Sequence, residues 1–298
     1  PMLMSTCLSV FVRNDGSPTL SFVGMCVGAG ANIFLDWLFI FPIKMGVIGA
    51  AIASGLGQVF SVAVLLSHFV RKRGSLRFQR FPVSGALVGK ICKRGVPEAA
   101  SQLTTPVTAL CYNLMLAKLV GDIGVSTFSV LSFIYSLVNA ILSGTAQGLQ
   151  PLWGLCYGER DTDGMNLYFR WGIRINAILS VVIYGLLFLF AEPAIRIFNR
   201  DPELVQNASA ALSLFGLSFI PMALNLIYTA FLYSTKRTLQ ADAISLSRGV
   251  VLKAAAIFCI PVLLGIDVIW LAPFAAELLT LVLALALSRA CKLGESGE

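Results

Sequence analysis

Long apolar stretches separated by short polar loops dominate this chain. Each stretch approaches or exceeds the roughly 20 residues that a helix needs to cross about 30 Å of hydrocarbon. None alternates strictly between apolar and polar positions, so the pattern indicates helices rather than barrel strands. The pattern predicts eight full spans, preceded by the tail of another at 1–12: 19–43, 45–70, 96–117, 123–157, 171–191, 204–234, 239–264 and 268–288. The chain is therefore predicted to be an all-α polytopic membrane protein.

Composition agrees with this prediction. The chain is 57% hydrophobic and only 12% charged, with a mean hydropathy of +0.83, whereas a soluble domain carries about 25% charged residues. Its solvent must therefore be lipid. The net charge of +7 lies mostly in short loops, without the basic face and interleaved aromatic residues of a nucleic-acid surface. We expect no nucleic-acid partner.

The basic residues also predict an orientation. They concentrate in alternate loops, and the richest is 71–94. Because loops rich in Lys and Arg stay in the cytoplasm, the carboxyl terminus is predicted to be cytoplasmic and the protein multi-pass in the cell (inner or plasma) membrane. The stretch 71–94 is either a domain boundary lying on the anionic inner leaflet or a solvated connector.

Residues that carry chemistry in enzymes are sparse. The seven cysteines are scattered without a CxxC pair, and His68 is the single histidine. Free thiols in apolar runs behave as small hydrophobic side chains. A membrane-embedded enzyme would need clustered His, Cys or paired acids at one depth. We therefore predict no metal site, no cofactor and no enzymatic activity.

An internal repeat suggests the domain organisation. The segment 45–58 aligns without gaps onto 264–277, and parallel repeats of this kind are a known transporter device. The repeat predicts two six-helix lobes and a chain that lacks its amino-terminal part, either in the record or in the protein itself, which would then be a non-functional remnant. The predicted divisions are the end of the first lobe, a basic linker, the second lobe and a cytoplasmic tail, at 1–70, 71–94, 95–290 and 291–298.

Asp36 is the strongest candidate functional residue, because it is the only charge between 19 and 43. A carboxylate inside a span costs roughly 2.5–3.5 kcal/mol on insertion scales and is retained mainly where it has a function. Asn32 lies four residues earlier, on the same helix face. The depth of Ser54 on the next helix is compatible with one shared pocket. The alternative is an acid that is hydrogen-bonded across helices for packing alone.

Four further charges within the apolar stretches are candidates: Glu98, Arg248, Lys253 and Glu277. Lys253 and Glu277 fall at similar depths on consecutive antiparallel helices, so we predict that they pair. The pair is either purely structural, or Glu277 also faces a substrate path. Arg248 is predicted to reach towards the membrane surface with its long side chain.

Glu98 and three glutamines complete the candidates. Glu98 follows Pro97, so it either stabilises the helix dipole from the first turn or binds an ion. Gln147 and Gln150 lie low in the span 123–157, the fifth when the partial one is counted, where they line a cavity or join helices. Gln102 is a further candidate for the cavity wall.

Four motifs carry a resemblance that covers essentially the whole chain: FVRNDGSPTL, NIFLDWLFIFPIKMGVIGAAIAS, GVPEAASQL and GTAQGLQPLWGLCYGER. Together they resemble the MATE multidrug exporters, in the MepA-like branch. The resemblance implies two helical bundles around a central cavity. It also implies a first-lobe cation site, to which Asn32, Asp36 and Ser54 correspond. Some relatives use second-lobe carboxylates, but here Asn225 stands where an Asp is expected, which favours H⁺ over Na⁺.

We therefore expect a secondary active multidrug efflux transporter that exports organic cations or other xenobiotics in exchange for inward H⁺ or Na⁺. Its expected partners are a drug-like small molecule and the lipid bilayer, and we expect a monomer. The alternative is a lipid-linked oligosaccharide flippase of related architecture. A flippase for a pyrophosphate substrate would have a more cationic cavity than two embedded basic residues, Arg248 and Lys253, provide.

Overall fold

The structure of the chain is a computed structural model. It describes the backbone of residues 1–71, 74–77, 84–102 and 104–294. Within these ranges it describes the side chains of all residues except 94, 96–102, 104–105, 250, 264, 266–267 and 288–294.

The described backbone is almost entirely helical and contains no strand, which confirms the all-α prediction. The α-helices, numbered in chain order, are α1 Met2–Asn14, α2 Pro18–Ile40, α3 Gly46–Val70, α4 Gly85–Gln102, α5 Thr104–Leu119, α6 Asp122–Glu159, α7 Thr162–Leu189, α8 Ala191–Arg196, α9 Pro202–Gly216, α10 Phe219–Ser234, α11 Thr238–Leu246, α12 Leu252–Leu264 and α13 Ala272–Gly294. A π-helical turn, Ser247–Val251, joins α11 to α12, and a 3₁₀ turn, Ile266–Leu271, precedes α13.

Most of the predicted spans correspond to helices. Six of the described helical segments are long and apolar enough to cross a membrane, or seven if α9 and α10 form one bent span. The remaining predicted span, 96–117, falls on the end of α4 and on the 16-residue α5. Large apolar side chains such as Phe22 and Val262 are exposed along these helices, as expected of a surface that faces lipid tails.

The chain divides into two compact units, Pro1–Ser84 and Gly85–Glu298. The boundary falls inside the basic stretch 71–94, and residues 85–94 of that stretch belong to α4.

The first unit contains α1, α2 and α3 packed on one another. Leu8 and Val12 of α1 pack with Leu65 of α3 in a small apolar core. The hydroxyl of Ser9, also on α1, lies 2.8 Å from that of Ser21 on α2. Polar contacts between hydroxyls are suited to a membrane helix interface, where small residues let backbones approach closely.

The second unit is built around the 38-residue α6. Its largest core cluster joins α6, α8, α9 and α10, with Leu131, Leu142 and Phe219 fully or almost fully buried. Local sequence signals set the helix ends. Asp161 and Asp201 cap α7 and α9 by accepting hydrogen bonds from Gly164 N and Glu203 N, as short acidic side chains do at N-caps.

One predicted span is broken. The stretch 204–234 was expected to be a single helix, but α9 and α10 are separate helices that meet at an angle of 43°. Pro221 lies in the first turn of α10. Proline has no N–H to donate and clashes with the preceding turn, so a helix tends to begin near it rather than to continue through it.

The aligned ends of the internal repeat share two local features. Gly46 and its counterpart Gly265 both have positive φ, 58° and 93°, a backbone region that glycine enters without steric cost. Gln58 and its counterpart Glu277 both accept hydrogen bonds, from Ser5 on α1 and from Asn225 on α10. The repeat is thus matched locally at its turn and at its polar position.

Candidate functional site

Asn32 and Ser54 meet between α2 and α3. The Asn32 side-chain amide donates to Ser54 Oγ over 3.4 Å. Asn32 stands eight residues before the end of α2, and Ser54 eight residues after the start of α3, so each lies about 12 Å from the turn that joins the helices. The structure therefore places two of the three predicted first-lobe residues at one depth.

Asp36 lies one helical turn nearer than Asn32 to the loop that joins α2 to α3. Its side chain is half-buried, and its Oδ1 is buried with no hydrogen-bond partner among the described residues. Buried polar atoms are nearly always hydrogen-bonded. The packing alternative, an acid tied across helices by hydrogen bonds, thus finds no support at this oxygen.

Glycines bring α2 and α3 close enough for the Asn32–Ser54 contact. A Cβ added to Gly57 would lie 2.8 Å from both the Asn32 Cβ and the Gly28 carbonyl oxygen, and one added to Gly28 would lie 2.9 Å from the Gly57 carbonyl oxygen. Neither space admits a methyl group. The polar pair therefore rests on a small-residue helix interface of the kind that membrane proteins use.

Glu277 of α13 organises a second polar cluster, inside the second unit. It is fully buried. Its Oε1 accepts from Arg248 Nε at 2.8 Å and lies 3.3 Å from Lys253 Nζ. Its Oε2 and its backbone carbonyl both accept from the Asn225 amide at 2.9 Å. The Lys253–Glu277 pair thus forms as the matched depths predict.

The prediction that Arg248 reaches the membrane surface is wrong. Its guanidinium does not reach away to the membrane surface; it is bonded to Glu277, and only 15% of its side chain is exposed. The reason is the local backbone. Five residues apart on an α-helix, at 100° each, Arg248 and Lys253 would point roughly 140° apart. The π turn Ser247–Val251 accommodates an extra residue, which brings both side chains to the same carboxylate.

The π turn forms a hydrogen bond with α5. The hydroxyl of Thr108 on α5 donates to the backbone carbonyl of Gly249 in the turn at 2.9 Å. Single π turns inside α-helices occur frequently at functional sites.

A cavity of about 450 Å³ opens beside this cluster, within the second unit. Arg248 and Lys253 line it, and Lys253 Nζ donates to the Tyr135 hydroxyl at 3.2 Å while lying 5.1 Å from the centre of that ring. The other described residues that line it are Thr108, Ala109, Tyr112, Phe128, Ser132, Ser136, Asn139, Phe215, Leu226, Thr229, Tyr233, Ser245, Gly249 and Pro273.

The remaining candidates are placed differently. Gln147 and Gln150 lie on α6, and neither is among the residues that line this cavity. Glu98 and Gln102 belong to α4, but their side chains lie outside the described part of the structure. In the described ranges, no group of three or more His, Cys, Asp or Glu is arranged to hold a metal ion.

Sequence reasoning missed the partners that complete the second cluster. By sequence, Tyr135 is indistinguishable from other aromatic residues in apolar spans, and Asn225 is recognised only as a departure from an expected Asp. A usable signal exists in both, because a polar tip inside a span needs a partner. Their partners, Lys253 and Glu277, lie on helices distant in sequence.

Together these features define a polytopic, all-helical membrane protein with buried polar groups in both of its units. The MatE family model matches residues 97–265, more than half of the chain. The chain belongs to this family of MATE transporters.

Curated relatives include the multidrug export protein MepA of Staphylococcus haemolyticus (strain JCSC1435), which is 25% identical over 276 residues, covering 88% of this chain and 58% of the relative. MepA of Staphylococcus aureus (strain MRSA252) is 24% identical over 267 residues, with the same coverage of 88% and 58%. The chain therefore spans 58% of the length of these relatives.

Solved structures share the fold. A MOP superfamily transporter from Pyrococcus furiosus, described as having a binding pocket of reverse polarity that suggests a different function, superposes with a TM-score of 0.88 at 20% identity, covering 96% of this chain and 65% of that one. A MATE transporter in complex with MaL6 gives the same TM-score of 0.88 at 20% identity, covering 96% and 66%.

Proposed function

We propose that this chain acts in a multidrug efflux transporter that exports organic cations or other xenobiotics in exchange for inward H⁺ or Na⁺. Membership of the MATE family and relatives named multidrug export proteins support the export function. Those names give no support to the flippase alternative.

The observation that carries the coupling proposal is the state of Asp36. Its Oδ1 is withdrawn from solvent and has no hydrogen-bond partner among the described residues. A bound proton or cation would give this buried oxygen the partner that it lacks, and buried polar atoms are nearly always partnered. Asn32 and Ser54, which contact each other one helical turn further from the loop between α2 and α3, are the neutral groups predicted to share its site.

In this mechanism the occupied and the empty carboxylate favour different packings of the first unit. An ion can shift such an equilibrium only by the difference in its affinity for the two states. Asp36 meets that condition if it is open to one compartment in one state and to the other compartment in the second. We propose that the transporter works as a monomer in the cell membrane with its carboxyl terminus in the cytoplasm.

The test is ethidium efflux from cells expressing the protein, with Asp36→Asn compared with wild type at pH 6, 7 and 8 and at several Na⁺ concentrations. We expect Asp36→Asn to abolish the gradient-driven efflux, because the amide cannot take up the ion. The matched control is Asp163→Asn, an exposed aspartate in the first turn of α7, which should leave efflux unchanged.

The ion follows from the same data. Efflux that depends on pH without Na⁺ identifies H⁺, and efflux that requires Na⁺ identifies Na⁺. Efflux at the wild-type rate by Asp36→Asn would remove this residue from the coupling role.

A further inference from the structure

The cavity of the second unit has a clear electrostatic sign. Arg248 and Lys253 are the only formally charged residues among the described residues that line it. Two carboxylates lie behind the wall: Glu277, which is bonded to Arg248, and Asp242, which accepts from the hydroxyl of the lining residue Tyr233 at 2.8 Å. Neither acid is among the described lining residues. The formal charges in the cavity wall itself are therefore positive.

The two cations are also accessible. The Arg248 side chain is 15% exposed and the Lys253 side chain 12%, whereas Glu277 is 1% exposed. The carboxylate is thus sealed behind the cations rather than presented to a ligand. Arg248 donates to Glu277 through Nε, and Oε2 of Glu277 already accepts a hydrogen bond from Asn225.

Two hydroxyl groups in the wall lack partners. The phenol oxygen of Tyr112 and Oγ1 of Thr229 are buried without a hydrogen-bond partner among the described residues, and both residues line the cavity. Tyr112 is 2% exposed. Each hydroxyl has an O–H to donate. An unsatisfied buried donor is costly, so a ligand that accepts from it is favoured.

Several aromatic rings also line the cavity. Tyr112 stacks on Phe128 with ring centres 4.6 Å apart, and Phe215 and Tyr135 meet edge to face at 6.1 Å. An aromatic wall ordinarily suits cations. Here, however, the Tyr135 ring already has the Lys253 ammonium 5.1 Å from its centre, so a second cation would meet repulsion at that place.

We infer that this cavity binds compounds in which an aromatic body carries one anionic group, such as a carboxylate, with the anion at Lys253 and Arg248 and the rings against Tyr112 and Phe128. The inference rests on the proposed efflux function, because it names a class of compound that the transporter accepts: acidic aromatic molecules, alongside the organic cations expected from sequence.

Binding is measured with three pyrene probes of similar size: 1-pyrenebutyric acid, 1-pyrenebutanol and 1-pyrenemethylamine. The protein is held in nanodiscs of phosphatidylcholine, whose zwitterionic headgroups add no net charge. Energy transfer from tryptophan to pyrene reports bound probe, and the signal from protein-free nanodiscs is subtracted. The wild-type protein should bind the acid ~10-fold tighter than the alcohol, as expected for one charge-assisted hydrogen bond, and the amine more weakly than either.

Lys253→Gln should weaken binding of the acid ~10-fold and binding of the alcohol less than ~2-fold. Lys253→Arg should keep the preference for the acid. Lys236→Gln makes the same charge change near Tyr157, outside the cavity, and should alter neither affinity. Lys253→Gln leaves Glu277 bonded to Arg248 and Asn225, and its thermal melting is recorded to show that it is folded.

Equal affinity of the wild-type protein for the acid and the alcohol, or tighter binding of the amine, would overturn the inference. The outcome is independent of the proposed transport cycle. Binding needs no ion gradient, so loss of efflux in Asp36→Asn does not bear on it, and loss of the charge preference does not bear on Asp36.

Discussion

Oδ2 of Asp15 lies 2.9 Å from Nε2 of His68, the single histidine of the chain. The same carboxylate accepts from the backbone N–H and the hydroxyl of Ser75, at 2.9 and 2.7 Å, and from the backbone N–H of Leu76 at 3.1 Å. It thus joins the end of α1, the end of α3 and the segment that follows α3. The hydrogen bonds, those from Ser75 first and that from His68 second, hold the pKa of Asp15 well below its usual value.

The contribution of Asp15 to stability should depend on pH. Because its pKa is lower in the folded protein, its contribution is complete above the ordinary aspartate pKa near 4 and is lost as the pH falls towards the folded value. We expect Asp15→Asn to lower the thermal unfolding midpoint at pH 6, and to lower it progressively less as the pH is reduced from 4 to 2. A gap of constant size across this range would contradict the prediction, and exposed Asp163→Asn serves as the control.

The buried charges at Glu277 should be energetically coupled. Glu277→Ala leaves Arg248 and Lys253 without their counter-charge, which should cost roughly 3–5 kcal/mol of folding free energy. Lys253→Ala should cost less, because Arg248 still pairs with the acid.

The coupling is measured by a double-mutant cycle from thermal or denaturant unfolding in detergent. The double variant Glu277→Ala with Lys253→Ala should be more stable than the sum of the single losses implies, with an interaction energy of about 0.5–3 kcal/mol. Simple additivity would show that the 3.3 Å contact carries no net energy.

Alanine should be tolerated at Gly55 of α3 but not at Gly57, which packs against α2. A Cβ at Gly57 meets the Gly28 carbonyl at 2.8 Å, whereas a Cβ at Gly55 has nothing within 4 Å. Gly57→Ala should destabilise the protein by about 1–3 kcal/mol through overpacking. Gly55→Ala should be neutral or stabilising by up to about 1 kcal/mol, because alanine is the better helix former. Unfolding midpoints that fall equally for the two variants would refute the close contact.

Thr108 should support the π turn through its hydroxyl. Thr108→Val keeps the shape of the side chain and leaves the buried Gly249 carbonyl without this donor, which should cost about 1–3 kcal/mol. Thr108→Ser retains the hydroxyl and should recover most of the loss. The comparison uses unfolding free energies, and a serine variant no better than the valine variant would show that the methyl group, rather than the hydrogen bond, matters.

Hydropathy predicted most of the fold, because lipid imposes both the length and the composition of a span. Contacts that depend on helical periodicity or on depth could also be predicted from the sequence. Asn32 and Ser54 meet, and Lys253 lies beside Glu277, since positions counted along regular helices give depth correctly. These arguments require only that each helix keep a rise of about 1.5 Å per residue.

The failures lie where that regularity ends. The bend between α9 and α10 was hidden in an apolar run, although Pro221 marks it. Arg248 is predicted to reach the membrane surface because it lies nearer the cytoplasmic end of its span and has a long side chain, and this reasoning does not show the π turn that directs it to Glu277. Asn225 could not be connected to Glu277 by any local rule, since the two are 52 residues apart.

The widened turn at Ser247–Val251 makes local backbone geometry, rather than residue type alone, the determinant of the charge cluster. A homologue that preserved both cations, the acid and their spacing but formed an unbroken α-helix here would hold the arginine and the lysine about 140° apart, and one of them would lose the carboxylate. A homologue with one residue fewer between the two cations would place them four residues apart, about 40° from each other on an unbroken α-helix, and would keep both on the side of the acid. Matching of residue identities alone would score the first homologue as equivalent, although it would have a different cavity.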